Sequence, residues 1–341
     1  MEEPSGTKKL GVRALAKMTG YSTGTISRVL NNSALVNKET RRQVLEAIEK
    51  AGYTRNPAAR ALATQRTKTI GAVVPTLAHS IFARFLNAVE QELAGQGYAL
   101  VIATSGGDAE AEERRARELI DLGAEGLILS GAEHNVALLE FLAAGNIPAI
   151  CTSVCDGQNG LPAIGYDNAA LGSKALRFLA SRGHENICVV HGPAENNDRT
   201  RLRIDGVLEG ARGVGAEVRL FETSLDVAGG ARSAAEIFTN QPQPASAILC
   251  LSDVLALGVL FEAGRHGIVV PQDLSLMGFD DLDWAAHSVP PLTTIRLPTA
   301  RMGTHVAKAL MGRLDAATEI KTLRLDAEIV ERESVADVRK K

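Results

Sequence analysis

The sequence predicts a small all-α head followed by a larger α/β core of two doubly wound parallel-sheet subdomains. Three observations lead there. The chain has 341 residues, more than one compact domain usually holds. Charge is unevenly spread: Lys8 to Arg66 contains twelve Lys and Arg against three Glu, a surplus of nine. The whole chain carries −3, so the remainder carries −12. After Lys68 the apolar pattern also changes, from helical spacing to continuous apolar runs separated by helical stretches.

In the head, Val12, Leu15, Ala16 and Met18 fall at helical spacing, and Thr19-Gly20-Tyr21 interrupts them. Gly20 supplies the backbone freedom that a tight turn needs. Ser22 can cap a second helix with Ile26, Val29 and Leu30 on one face, which leaves Thr23, Gly24, Thr25, Ser27 and Arg28 on or near the outer face. Two short helices joined by a Gly-containing turn form a helix-turn-helix signature, whose second helix enters the major groove of duplex DNA. Asn37 can cap a third helix in which Val44, Leu45 and Ile48 complete a small core, and Gly52 ends it. Asn56-Pro57 then marks another helix start, too short to be stable alone in water. Folded on DNA, such a segment presents Leu62 as a candidate apolar wedge. A basic segment of this kind is also what a merely solvated surface looks like, so charge alone does not decide.

In the core, 69–75, 98–104, 126–130 and 147–152 read as strands, with helical segments such as 81–96 and 109–122 between them. A second series follows at 187–191, 218–223, 247–251 and 274–278. Near-continuous apolar strands alternating with helices argue for parallel sheets covered on both faces. Ligands of such folds lie at the C-terminal ends of the strands, here in a cleft between two halves.

Composition excludes several classes. No run of eighteen apolar residues exists, which argues against a spanning helix. Met1 to Lys9 is polar and lacks the apolar centre of a signal segment, so a cytoplasmic protein is expected. Cys151, Cys155, Cys188 and Cys250 sit mostly in apolar runs and read as buried free thiols. The Cys151/Cys155 spacing has no second pair or neighbouring His in sequence to complete a metal site, so neither metal nor cofactor is expected. No G-x-G-x-x-G follows a strand, and there is no P-loop and no G-x-S-x-G. Asp280-Asp281 and His191 lack partners at catalytic spacing, so no catalytic residue is assigned and an enzyme is not the leading reading. A binding protein of the periplasmic class, sharing only the core, is the other alternative.

From "LAKMTGYSTGTISRVLNNSALVNKETRRQVLEAIEKAGYTRNPAARALATQRTKTIG" the chain resembles the head and hinge of the lactose-repressor (LacI/GalR) family of transcription regulators. Further on, "GHENICVVHGP", "RLRIDGVLEG", "LSDVLALGVL", "VPQDLSLMGFDDLD" and "PPLTTIRLP" are similar to that family's periplasmic-binding-protein-like core, in order, to about residue 335. The resemblance implies a head at 8–53, a hinge at 54–67 and a core at 68–335. It divides the core into a first lobe (68–166 and 293–318) and a second lobe (167–292 and 319–335). It puts Thr23, Gly24 and Arg28 at base-reading positions and Ser22, Thr25, Ser27 and Asn31 at phosphate and groove contacts. Asn56, Ala59 and Leu62 fall on the hinge, Leu62 matching the residue that opens the operator's central step. Gly24 stands where a longer polar residue is common and cannot read a base edge, which shifts direct readout toward Thr23 and Arg28.

In the core, the resemblance implies that Arg203 and Asp280 grip the effector, with His79, Phe82, Ser153, Arg199, Leu225 and Ser252 around it. The alternative for Arg203 and Asp280 is an interlobe salt bridge, and for His79 a surface role. Ser153, Leu225 and Ser252 replace an acid, an aromatic and an Asn or Asp common in sugar readers, while Arg199 and Arg201 add positive charge. That combination favours an anionic effector such as a sugar acid or its phosphate, unless Arg199 and Arg201 face solvent. The expected partners are a pseudo-palindromic duplex operator, that effector and a second copy of the chain. No leucine-rich heptad tail follows the core, so a homodimer without a membrane role is expected. Repression is the usual mode of the family, activation the alternative.

Overall fold

The computed structural model describes residues 11–30, 36–53, 61, 64–157, 160–240 and 245–340. The chain divides into two compact units, one ending at Thr67 and the other starting at Lys68.

The first unit contains α1 (Val12–Thr19), α2 (Thr23–Leu30) and α3 (Lys38–Lys50). Gly20 closes α1 at φ 73°, its N–H donating to the Ala16 carbonyl. The Ser22 hydroxyl accepts from the Thr25 N–H at 3.1 Å and so caps α2. Asn37 does the same for α3 through the Thr40 N–H at 2.8 Å. Leu15, Ile26, Val29 and Val44 form the buried centre, one or two side chains from each helix.

The second unit holds two six-stranded sheets. One runs in the order β11-β5-β4-β3-β1-β2, the other β12-β10-β9-β8-β6-β7. The first comprises β1 (Thr69–Val74), β2 (Ala99–Thr104), β3 (Gly126–Ser130), β4 (Ala149–Thr152), β5 (Ala163–Gly165) and β11 (Leu323–Arg324). The second comprises β6 (Asn186–His191), β7 (Glu217–Glu222), β8 (Ala247–Cys250), β9 (Ser275–Asp280), β10 (Thr293–Arg296) and β12 (Glu328–Val330). Every pairing is parallel except β10 with β12. Central β3, β4, β8 and β9 are buried along their whole length, whereas edge strands β2 and β7 carry exposed positions. This is the contrast expected when helices cover both faces.

Of the helices, α4 (Ser80–Ala94), α5 (Ala109–Asp121) and α6 (Val136–Ala144) follow strands of the first sheet. The second sheet has α7 (Asn168–Ser181), α8 (Asp198–Val214), α9 (Val227–Asn240) and α10 (Asp253–Arg265). The last, α11 (Thr299–Ala316), returns to pack on α4.

Two lobe boundaries differ from expectation. Segment 293–296, expected to open the return to the first lobe, is β10 of the second sheet, in parallel register with β9 (Thr293 with Met277). Leu323–Arg324, expected in the second lobe, pairs with β5 in the first. The second and third crossings therefore follow Arg296 and Arg324. A short Thr-rich run between prolines does not show locally which sheet edge takes up its backbone hydrogen bonds, and only the free edges of β9 and β5 decide it.

Candidate functional site: the interlobe cleft and the head

The strands of both sheets end at one cavity of about 140 Å³, lined by Pro75 after β1, Ser130 closing β3, Ser153 after β4, Tyr166 after β5, Gly192 after β6, Ser252 after β8 and Asp280 closing β9. All eight effector-site candidates, His79, Phe82, Ser153, Arg199, Arg203, Leu225, Ser252 and Asp280, line it. Arg201 does not.

Arg203 projects from α8 and is held on three sides. Its Nε donates to Asn168 Oδ1 at 2.9 Å, its Nη1 donates to the Leu251 carbonyl at 3.0 Å, and its guanidinium lies 4.1 Å from the Phe279 ring centre. Asn168 in turn donates to the Ser153 carbonyl at 2.8 Å, so one amide ties the arginine to the other lobe's loop. The arginine is thus oriented before any ligand arrives.

Asp280 Oδ1 sits 3.9 Å from Arg203, and Oδ2 accepts from the Ser252 hydroxyl at 2.9 Å. Burial lifts its carboxyl to about 6, and Arg203 and Ser252 restrain the rise. Next to it Asp253, at the start of α10, accepts from Thr294 Oγ1 (2.6 Å) and the Leu282 N–H (2.7 Å), and burial and then Asp280 lift it to about 7. Its neighbour Asp281 has the opposite environment. Burial opposes its charge, but Arg332 (2.7 Å) and Arg296 (2.6 Å) hold the carboxyl below the usual range. Two adjacent aspartates therefore serve different ends, one facing the cleft and one binding the second sheet together.

The other two arginines are partnered. Arg199 pairs with Asp198 at 2.9 Å and lies over Gly131, where a Cβ would come within 2.1 Å of its Nη1. Gly131 has φ 89°, so the backbone there demands glycine, and any side chain would have to displace the Arg199 guanidinium. Arg201 donates to the Ala194 carbonyl at 2.7 Å and pairs with Glu133, away from the cavity. The cavity lining then has two guanidiniums, Arg199 and Arg203, against the single carboxylate of Asp280. His79 is half-buried, which favours its neutral form, and it hydrogen-bonds the Leu225 backbone.

Sequence reading missed Asn168, Phe279 and Asp253, because nothing local marks a polar residue as aimed at another strand end. It also missed a cluster behind the cleft. No His stands near Cys151 in sequence, yet His134 Nε2 lies 3.4 Å from Cys151 Sγ while its Nδ1 lies 2.7 Å from Glu112 Oε2. Burial works against a charge on His134, but hydrogen bonds to Cys151 and Glu112 raise it to about 10.

In the head, Ser22, Thr23, Gly24, Ser27 and Arg28 are exposed and Thr25 is half-exposed, while Ile26 and Val29 on the same helix are buried. A Cβ at Gly24 would meet only Ser22 Oγ at 3.6 Å, so internal packing does not require glycine there. Asn31, Asn56, Ala59 and Leu62 lie outside the described residues.

Residues 13–56 match the model for bacterial regulatory proteins of the lacI family, and 176–335 match a periplasmic binding protein-like domain. The transcriptional regulator GntR of Pseudomonas aeruginosa is 32% identical, over 94% of both chains. The chain belongs to the LacI family. The transcriptional repressor PurR of Erwinia tasmaniensis is 30% identical over 96% of this chain and 97% of its own. The fold matches that of a lac repressor dimer solved on operator with the anti-inducer ONPF: TM-score 0.87, 23% identity, 96% of this chain and all of that one. This LacI-family member is accordingly a DNA-binding transcription regulator with an effector-binding core. Among the described residues no helix is long and apolar enough to cross a membrane.

Proposed function

We propose that this regulator represses its target genes by binding a pseudo-palindromic operator as a homodimer, and that a small anionic polyhydroxylated metabolite in the cleft controls that binding. The effector class is a sugar acid, aldonic or uronic, or its phosphate. The observation that carries this is the oriented pair of Arg203 and Asp280 in a lining with more guanidinium than carboxylate. Arg203 is oriented to take a carboxylate or phosphate oxygen, Asp280 accepts from a hydroxyl, and Ser153, Ser252 and Tyr166 stand around them. The protein performs no reaction in this reading; it acts in the cytoplasm, where the operator is.

On the DNA side, α2 offers Thr23 and Arg28 for base edges and Ser22, Thr25 and Ser27 for phosphates. Dimer formation is supported by an apolar face on the second lobe around Leu257, Leu260 and Trp284, where Phe261 is 53% and Val289 88% exposed. An effector couples to DNA by favouring one lobe arrangement over the other, and only its differential affinity for the two does work.

Thermal-shift screening of neutral sugars against aldonic acids, uronic acids and their phosphates, with calorimetry on the hits, tests the effector. Acids should stabilise and neutral hexoses should not; a tight neutral hexose or purine with inert acids overturns the anionic reading. Operator titration with the hit, across a salt series, tests the rest. The operator affinity should fall steeply with salt because the basic head displaces counterions twice over in a dimer. A log–log slope near zero overturns the account of the head.

A further inference from the structure

We propose that the cleft continues past Arg199 into a second compartment that takes a glycosyl unit, so that the effector is a glycosylated sugar acid rather than a single sugar acid. This rests on the acid reading of the inner cavity.

A second cavity of about 200 Å³ adjoins the first, and Pro75, Ser130 and Arg199 line both. At the shared wall stands Ser130, only 9% exposed, whose hydroxyl has no hydrogen-bond partner among the described residues. A buried hydroxyl left without a partner is costly, and a ligand oxygen is the partner this position lacks.

The two compartments have opposite charge. The inner lining has two guanidiniums against one carboxylate. The outer one has Asp108, Glu112, Glu133 and Asp198 against His134 and Arg199. An anionic group is therefore drawn inward and repelled outward, which fixes the ligand's direction. Carboxylates in the outer wall accept from hydroxyls, as a sugar ring requires. Two of that wall's carboxylates are already fixed: Glu112 is bonded to His134 at 2.7 Å, and Asp198 Oδ2 accepts from the Ala132 N–H at 2.6 Å. Little side-chain entropy is left to lose when a sugar settles there.

The test is calorimetry on the full chain with gluconate, with the glycosylated acids lactobionate and cellobionate, and with neutral cellobiose. A glycosylated acid should bind about tenfold or more tightly than gluconate. Ala109, exposed at the start of α5 and lining only the outer compartment, gives the control. Ala109→Trp fills that space without removing a hydrogen-bonding group. It should bring the glycosylated acid down to the affinity of gluconate and leave gluconate unchanged. Equal binding of gluconate and both glycosylated acids to the wild type overturns the second compartment while the acid reading stands. So does an Ala109→Trp protein that binds the glycosylated acid as the wild type does. Binding of cellobiose alone, abolished by Ala109→Trp, upholds the compartment and overturns the acid reading instead.

Discussion

Replacing Arg203 by alanine separates the cost of the cleft's architecture from its binding role. The guanidinium is mostly buried, its side chain 12% exposed, and it satisfies Asn168 Oδ1 and the Leu251 carbonyl. Leaving two buried acceptors unpaired costs about 1–3 kcal/mol each if no water replaces the donor, and the stacking on Phe279 adds roughly 0.5–2 kcal/mol. Asp280 moderates the loss. It already titrates near 6, and without its cation the carboxyl rises further and takes up a proton rather than remaining an unpaired buried charge. With water entering the space that the guanidinium leaves and pairing the two acceptors in part, the expected loss of stability falls at the low end of that sum, about 2–4 kcal/mol, read as a lower urea midpoint at unchanged slope. Effector binding loses a charge-assisted bidentate contact, about 3 kcal/mol or roughly 100-fold in Kd, read by calorimetry with the acid that the screen finds. Arg203→Lys keeps the charge but can neither form the fork nor stack flat, so it should stay folded and bind nearly as poorly. If a folded Arg203 variant holds the effector within about threefold of wild type, the anchor lies elsewhere and the reasoning from the Arg203–Asp280 pair fails.

The remaining predictions concern pH, lobe closure and the hinge. Asp253 has a folded-state value raised from 3.8 to about 7, so its stabilising contribution is complete below the unfolded value and is lost as pH rises through the folded one. Asp253→Asn keeps both contacts if the Thr294 hydroxyl rotates to accept, and the fall in urea midpoint between pH 5 and pH 8 should be shallower in the variant; parallel curves would remove Asp253 as the cause. Arg84 on α4 donates to the Asp281 carbonyl at 3.0 Å and pairs with fully exposed Asp283 at 2.7 Å, joining the lobes without lining the cavity. Arg84→Ala should weaken effector binding by roughly 1 kcal/mol while stability changes little, and unaltered calorimetry would show that the contact does not govern closure. Leu62→Ala should reduce specific operator affinity by about 1–3 kcal/mol with the fold intact, because an unfilled base step leaves the unstacking uncompensated; equal operator titrations would rule out the wedge.

What the sequence determined by itself were the features with a short physical range. Ser22 and Asn37 announce their helices because a cap acts on an N–H three residues away. Val12, Leu15 and Ile26 mark buried faces because helical periodicity is local. Eight of the nine strands between Thr69 and Asp280 were legible because strands of a covered parallel sheet are largely apolar, whereas three-residue β5 (Ala163–Gly165) is too short to show a pattern; the family motifs carried the candidates that now line one cavity. Tertiary structure alone decided whatever depends on partners far along the chain. It assigned β10 to the second sheet, and it separated Asp280 from Asp281 by placing Arg296 and Arg332 beside only one of them. Of three arginines in a five-residue run, it left Arg203 and Arg199 in the cleft and turned Arg201 to Glu133, 68 residues away. It also set His134 between Glu112 and Cys151, a thiol that composition had consigned to plain core. The reason is common to all four: the energy of a buried charge or backbone hydrogen bond is set by what lies within a few ångströms in space, and sequence spacing carries that information only inside a single helix or turn.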